Sequence, residues 1–326
     1  MGANKNSNSD RSDSLQENYG PSAINTNVNT ALVKTLNSNR QSTEINSTIA
    51  AKEGPIKLNN PLLIAGFPGP GLVGSISTSY IIERLKMRQI ACVESEFIVP
   101  GVIYVGGKLR HPFRLYSNNE GTICVLVCET PILVQGIHRV LDAVMKWALD
   151  SSVTNVIVLE GIPMQGIPDS KRYPFILTNS EEDHTLINDL DESATNVRQM
   201  KKKGNKDNEN ENLSDYKNIS GNLGPTYIGG VSGGLLSSCI SNNIPCIAVL
   251  VPSLSGVPDP EGAAIILETL AKITHYDELK IDVKQLRQQG NQVKKNLEKI
   301  ARSIRNQQKS MNENEAGEGG ENLMYG

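Results

Sequence analysis

The chain has 326 residues, 38% hydrophobic, 4% aromatic and 21% charged. A net charge of −3 argues against a general nucleic-acid or membrane-surface binder. No run of 18 or more apolar residues occurs and the first residues lack a charged-then-apolar signal, so a cytoplasmic protein without a membrane partner is expected.

Residues 1–55 are dominated by Asn, Ser and Thr and are read as a disordered N-terminal segment. From residue 56 a globular pattern takes over. Apolar, strand-like runs recur at 61–67, 89–94, 97–105, 122–129, 154–160 and 245–252. Helical patterns fall between them at 72–86, 136–150, 231–242 and 260–273. Strands alternating with helices predict βαβ units and an α/β fold, a three-layer αβα arrangement with a mostly parallel sheet covered on both faces. "PFRLY" followed by "SNNEG" and "TICVLVCE" predicts a hairpin, which makes the sheet mixed. The five cysteines, Cys92, Cys124, Cys128, Cys239 and Cys246, sit mostly in apolar runs and read as buried free thiols. The four histidines are scattered, so no metal site is expected.

"LLIAGFPGPGLVGSISTSYIIERL" is strand, glycine loop and helix. Gly69, Gly71 and Gly74 fit a dinucleotide fingerprint, with Glu94 about 20 residues on. Pro68 and Pro70 remove two amide donors from that loop, which favours a tight packing turn instead. Glu94, Glu129 and Glu160 each close a predicted strand, where open α/β sheets bind ligands. No nucleophile elbow or zinc motif accompanies them, and Ser232 in "GGVSGGLLSS" reads as a helix N-cap. The enzyme reading, a nucleotide-binding or hydrolytic α/β protein built on the loop and the glutamates, stands as the alternative. No cofactor is expected.

Residues 191–222, with "KKKGNKDNENENLSD", read as a mobile surface insertion in a domain spanning 56–275. From Tyr276 the apolar period becomes seven. Tyr276, Val283, Gly290, Leu297 and Ile304 take one position, and Leu279, Leu286, Val293 and Ile300 the other. This predicts a coiled-coil helix over 276–304 and a homo-oligomer, with Gly290 as a weak point in the seam. Residues 305–326 read as a flexible tail, yet they end in Met324, Tyr325 and Gly326.

Taken in order, "GFPGPGLVGSISTSYIIERL", "EFIVPGVIYVGGKLRHPFRLY", "NVIVLEGIP", "GGVSGGLLSSCISNNIPCIAVLV" and "PDPEGAAIILETLAKI" resemble the archaeal proteasome assembly chaperone family. The resemblance covers roughly 60–275 and implies a phosphorylase/hydrolase-like αβα fold, no enzymatic activity, and a tetramer in preference to a pentamer. It also gives the terminus a meaning. Met324-Tyr325-Gly326 matches the hydrophobic-tyrosine-any motif with which proteasome activators and assembly chaperones dock on the α-ring of the core particle. The chemistry suits such a role: a backbone-fixed carboxylate for a lysine, a rigid aromatic face from Tyr325, and an adaptable Met324. The implied function is an ATP-independent proteasome activator or an assembly chaperone.

Overall fold

Four parallel strands at the centre of an eight-stranded sheet organise the molecule, in a computed structural model that describes residues 32–35, 56–166, 172–180 and 227–318. The insertion at 191–222 and the terminal Met324, Tyr325 and Gly326 lie outside the described residues. The strands are β1 (Leu32–Thr35), β2 (Leu62–Gly66), β3 (Arg88–Glu94), β4 (Ile103–Val105), β5 (Lys108–Arg110), β6 (Phe113–Ser117), β7 (Ile123–Cys128), β8 (Asn155–Met164), β9 (Phe175–Thr178) and β10 (Cys246–Leu254). The sheet order is β1-β3-β6-β7-β2-β8-β10-β9, and β4 with β5 forms a separate hairpin.

Strands β7, β2, β8 and β10 are parallel neighbours. The remaining pairings of the large sheet are antiparallel, including the expected β6–β7 hairpin. The expectation of a mostly parallel sheet therefore holds only for the centre. Those central strands are continuous apolar runs because both faces are covered. Side chains alternate between two cores: Leu62 and Ile64 of β2 point to one, Leu63 and Ala65 to the other.

Helices α1 (Val73–Arg84) and α4 (Pro260–Ile273) cover the first face; α2 (Ile137–Asp150) and α3 (Gly230–Ser241) cover the second. Helix α2 presents Val140, Leu141, Val144, Met145 and Ala148 inward, the spacing of a single buried stripe. Helix α4 begins at Asp259, whose Oδ1 accepts from the Gly262 amide at 2.9 Å, with Pro260 at the first helical position. Such a cap stabilises a helix by about 1 kcal/mol.

Three segments differ from the sequence expectations. Leu32–Thr35, inside the segment read as disordered, pairs with β3 as an edge strand. The run 97–105 is strand only from Ile103; before it, Pro100 and Gly101 interrupt the chain and only an isolated bridge joins Ile98 to Ile132. Helix α5 runs from Lys284 to Glu318, about 52 Å at 1.5 Å per residue, and so continues through residues read as flexible.

Candidate functional site

The glycine loop crosses the C-terminal ends of the parallel strands, and its glycines are filled by neighbours. A Cβ on Gly74 would stand 2.3 Å from the Leu159 carbonyl, and one on Gly161 would stand 2.1 Å from the Pro70 carbonyl. Gly71 sits in left-handed backbone at φ +66°, where a Cβ would meet Ser253 Oγ at 2.0 Å. Its carbonyl accepts from the Asp259 amide at 2.8 Å. Arg172 locks this junction by pairing with Asp259 and donating to the Pro252 carbonyl at 2.5 Å. The loop is pressed onto strands β8 and β10, with two of its residues unable to donate an amide. This is a packing turn, and it disfavours the nucleotide reading.

The three glutamates do not form one cluster, and only Glu94 and Glu129 stand at strand ends; Glu160, expected to close its strand, lies inside β8, which continues to Met164. Glu129 pairs with the buried Arg114, which also donates to Tyr116 Oη at 2.9 Å. Glu94 ends β3 beside a groove that also holds Glu96 and His111. Glu160 Oε2 accepts a hydrogen bond from the Ser232 hydroxyl, and burial holds the Glu160 pKa above the ordinary carboxylate value, partly offset by Ser232 and the Gly161 amide. Ser232 is therefore not the helix cap expected from sequence. The cap position of α3 is Gly229, three residues earlier, and that places Ser232 inside the helix facing β8. No group of three or more His, Cys, Asp or Glu among the described residues is arranged to hold a metal. All five cysteines are free and buried, and desolvation pushes Cys124 up to about 12 and Cys128 to about 11.

The expected oligomerisation seam divides in two. Leu279, Val283 and Leu286 belong to the molecule's own core, with Tyr276 packed against it. Helix α5 begins only at Lys284, so Tyr276, Leu279 and Val283 precede it; Tyr80 Oη donates to the Asp282 carbonyl at 2.8 Å and fixes that approach. A single coiled coil over 276–304 is thus corrected to a docked base followed by a projecting helix. Gly290, expected to weaken the seam, is a contact point: a Cβ there would lie 2.8 Å from the Glu261 Cβ. Arg287 clamps the same crossing through Glu261 and Glu268, the latter at 2.7 Å. Beyond it Val293 and Leu297 are half-buried, whereas Ile300 and Ile304 are 57% and 50% exposed.

A family model described as PAC2 matches residues 63–301. The chain belongs to the PAC2 family. An uncharacterised protein of Methanocaldococcus jannaschii is 26% identical over 257 residues, 79% of this chain and 92% of the relative. Among solved structures, a Thermoplasma acidophilum protein of unknown function is 27% identical with a TM-score of 0.54, over 78% of this chain and 93% of that one. Two Pyrococcus furiosus proteins share the fold. PbaA, an archaeal homolog of proteasome-assembly chaperone, aligns with a TM-score of 0.59 at 21% identity, over 79% of this chain and 94% of its own. PbaB, an archaeal proteasome activator, aligns at 0.57 and 17% identity, over 84% and 100%. The PAC2 match takes in all of the parallel centre but Leu62, together with the docked base of α5, and stops inside that helix. Among the described residues, no helix is long and apolar enough to cross a membrane.

Proposed function

We propose that this PAC2 protein is a cytoplasmic, non-enzymatic partner of the proteasome core particle, acting as an ATP-independent activator or an assembly chaperone. The observation that carries the reading is the family match over 63–301, joined to the fold shared with an archaeal proteasome activator across 100% of that chain. The molecule is a homo-oligomer, favoured as a tetramer, held in part by Val293, Leu297, Ile300 and Ile304 on α5. Each copy docks Met324, Tyr325 and Gly326 in an inter-subunit pocket of the α-ring. One such tail binds weakly because ordering it costs free energy; several on one oligomer gain avidity without new contacts.

Co-sedimentation of the full chain with the cognate core particle, with and without Met324–Gly326, tests the docking. Hydrolysis of a fluorogenic peptide by the mature particle separates the two roles: stimulation marks an activator, and its absence together with faster α-ring assembly marks a chaperone. Docking requires that Gly326 carry the free carboxylate, which intact mass measurement of the purified protein checks. Equal binding by the clipped and intact proteins sinks the tail mechanism and moves the contact to the αβα body.

A further inference from the structure

Three carboxylates at the C-terminal edge of the sheet are withdrawn from water, and two of them have a buried arginine. Glu129 is paired with Arg114 and Asp259 with Arg172, the arginine side chains being 3% and 6% exposed. Desolvated charges need such partners. Glu160 differs: among the described residues it has no lysine or arginine partner, and its donors are the neutral Ser232 hydroxyl and the Gly161 amide.

Instead of a cation, Glu160 faces a cleft of about 380 Å³, walled by Phe67, Pro68, Pro70, Pro131 and Ile132 with Ser232 beside it. Its Oε1 stands over Gly69, where even a Cβ would lie only 1.8 Å away. The loop thus has no side chain at the one point where the carboxylate needs room. Apolar walls around a single acidic group suit a charge carried on a short hydrocarbon stem, with the charge on Glu160 and the stem along Phe67 and the prolines. An anion meets repulsion there and finds no amide on Pro68 or Pro70. A hard metal ion needs several oxygen ligands, which the described residues do not assemble.

We infer that this cleft binds a small organic cation, an alkylammonium or alkylguanidinium, with Glu160 as its counter-charge and Ser232 orienting the carboxylate. The site is independent of the proteasome reading and of the tail. Because burial raises the Glu160 pKa, a bound cation draws it down, and binding to the protonated form releases a proton. Among the described residues, no other group in the lining competes for that titration. The glycine loop brings no titratable side chain, and the start of α3 brings Ser232 and a positive helix end that favours the carboxylate. The end of β7 brings Cys128, neutral with its pKa pushed up to about 11; the adjoining Glu129 is occupied by Arg114.

Full-length protein is titrated with n-butylammonium and n-butylguanidinium, and with 1-butanol as the neutral probe of equal chain length, followed by calorimetry and by amide shifts of Gly69, Gly161 and Ser232. Saturable binding of at least one cation is expected, with shifts confined to those amides and 1-butanol at least tenfold weaker. Affinity should fall by up to tenfold per pH unit once the pH drops below the raised Glu160 pKa. Glu160→Gln, which preserves shape, should weaken cation binding at least tenfold. No saturable binding by either cation, equal binding of 1-butanol, a flat pH profile or an unaffected Glu160→Gln each overturns the inference. Should that variant fail to fold by circular dichroism, the pH and 1-butanol arms on the unaltered protein decide alone.

Discussion

Gly71 combines two constraints that the sequence motif does not separate, a left-handed backbone and a neighbour 2.0 Å from where a side chain would start. Gly71→Ala should therefore destabilise the fold by about 2–4 kcal/mol, the sum of a left-handed conformation and overpacking. In thermal denaturation this appears as a loss of roughly 5–15 °C. A loss of under 2 °C would mean that the loop yields and is no packing turn. Glu160 gives a second test without any ligand. Its folded pKa lies above the unfolded value, so the stability linked to the neutral acid is full below the unfolded pKa and lost as pH rises through the folded pKa. The melting temperature of the unaltered protein minus that of Glu160→Gln should rise as pH is lowered from neutral toward 5. A constant difference would show that Glu160 titrates normally. Sequence placed Gly71 in the glycine loop and Glu160 at the end of a strand, but β8 continues four residues past Glu160, and its Ser232 partner was not foreseen. Ser232 reads as a cap because serine hydroxyls favour helix starts, and only the tertiary fold shows that hydroxyl turned toward β8.

At the scale of elements, the period-seven stripe on α5 was legible, but what covers it was not. A repeat shows which side chains share a line; burial depends on whether a neighbour happens to lie beside that line. Here the crossing with α4 covers Leu286 and Gly290 and then ends. Leu286, 2% exposed, should behave as core, and Leu286→Ala should cost about 2–5 kcal/mol in chemical denaturation. Combined Leu297→Asp, Ile300→Asp and Ile304→Asp should leave melting nearly unchanged while lowering the mass seen by light scattering. An unchanged mass would place the oligomer interface elsewhere. Two short antiparallel strands, β9 and the β5 partner of β4, escaped sequence reading for a related reason. Runs of three or four residues carry too little periodicity, although Gly106 and Gly107, both at positive φ, are a usable hairpin signal.

For the whole molecule, the order of segments was more informative than any one of them, since the glycine loop alone pointed toward nucleotides and only its company pointed toward PAC2. The docking proposal extends to the far terminus and predicts strict geometry there. Tyr325→Ala should remove about 2 kcal/mol or more per tail and abolish co-sedimentation with the core particle without changing the oligomer. One added residue after Gly326 should be nearly as harmful because it displaces the carboxylate, and raised salt should mimic part of that loss. Binding that survives the added residue would rule out a carboxylate-anchored tail. The clamp where Arg287 and Gly290 meet Glu261 also has a mechanical consequence. From Gly290 to Glu318 the helix extends about 42 Å, so it works as a lever with its fulcrum on α4. A tilt of about 10° at the fulcrum sweeps the far end through about 7 Å, more than a full helical turn. Small adjustments between α4 and α5 are thereby magnified into the search radius of whatever the helix carries.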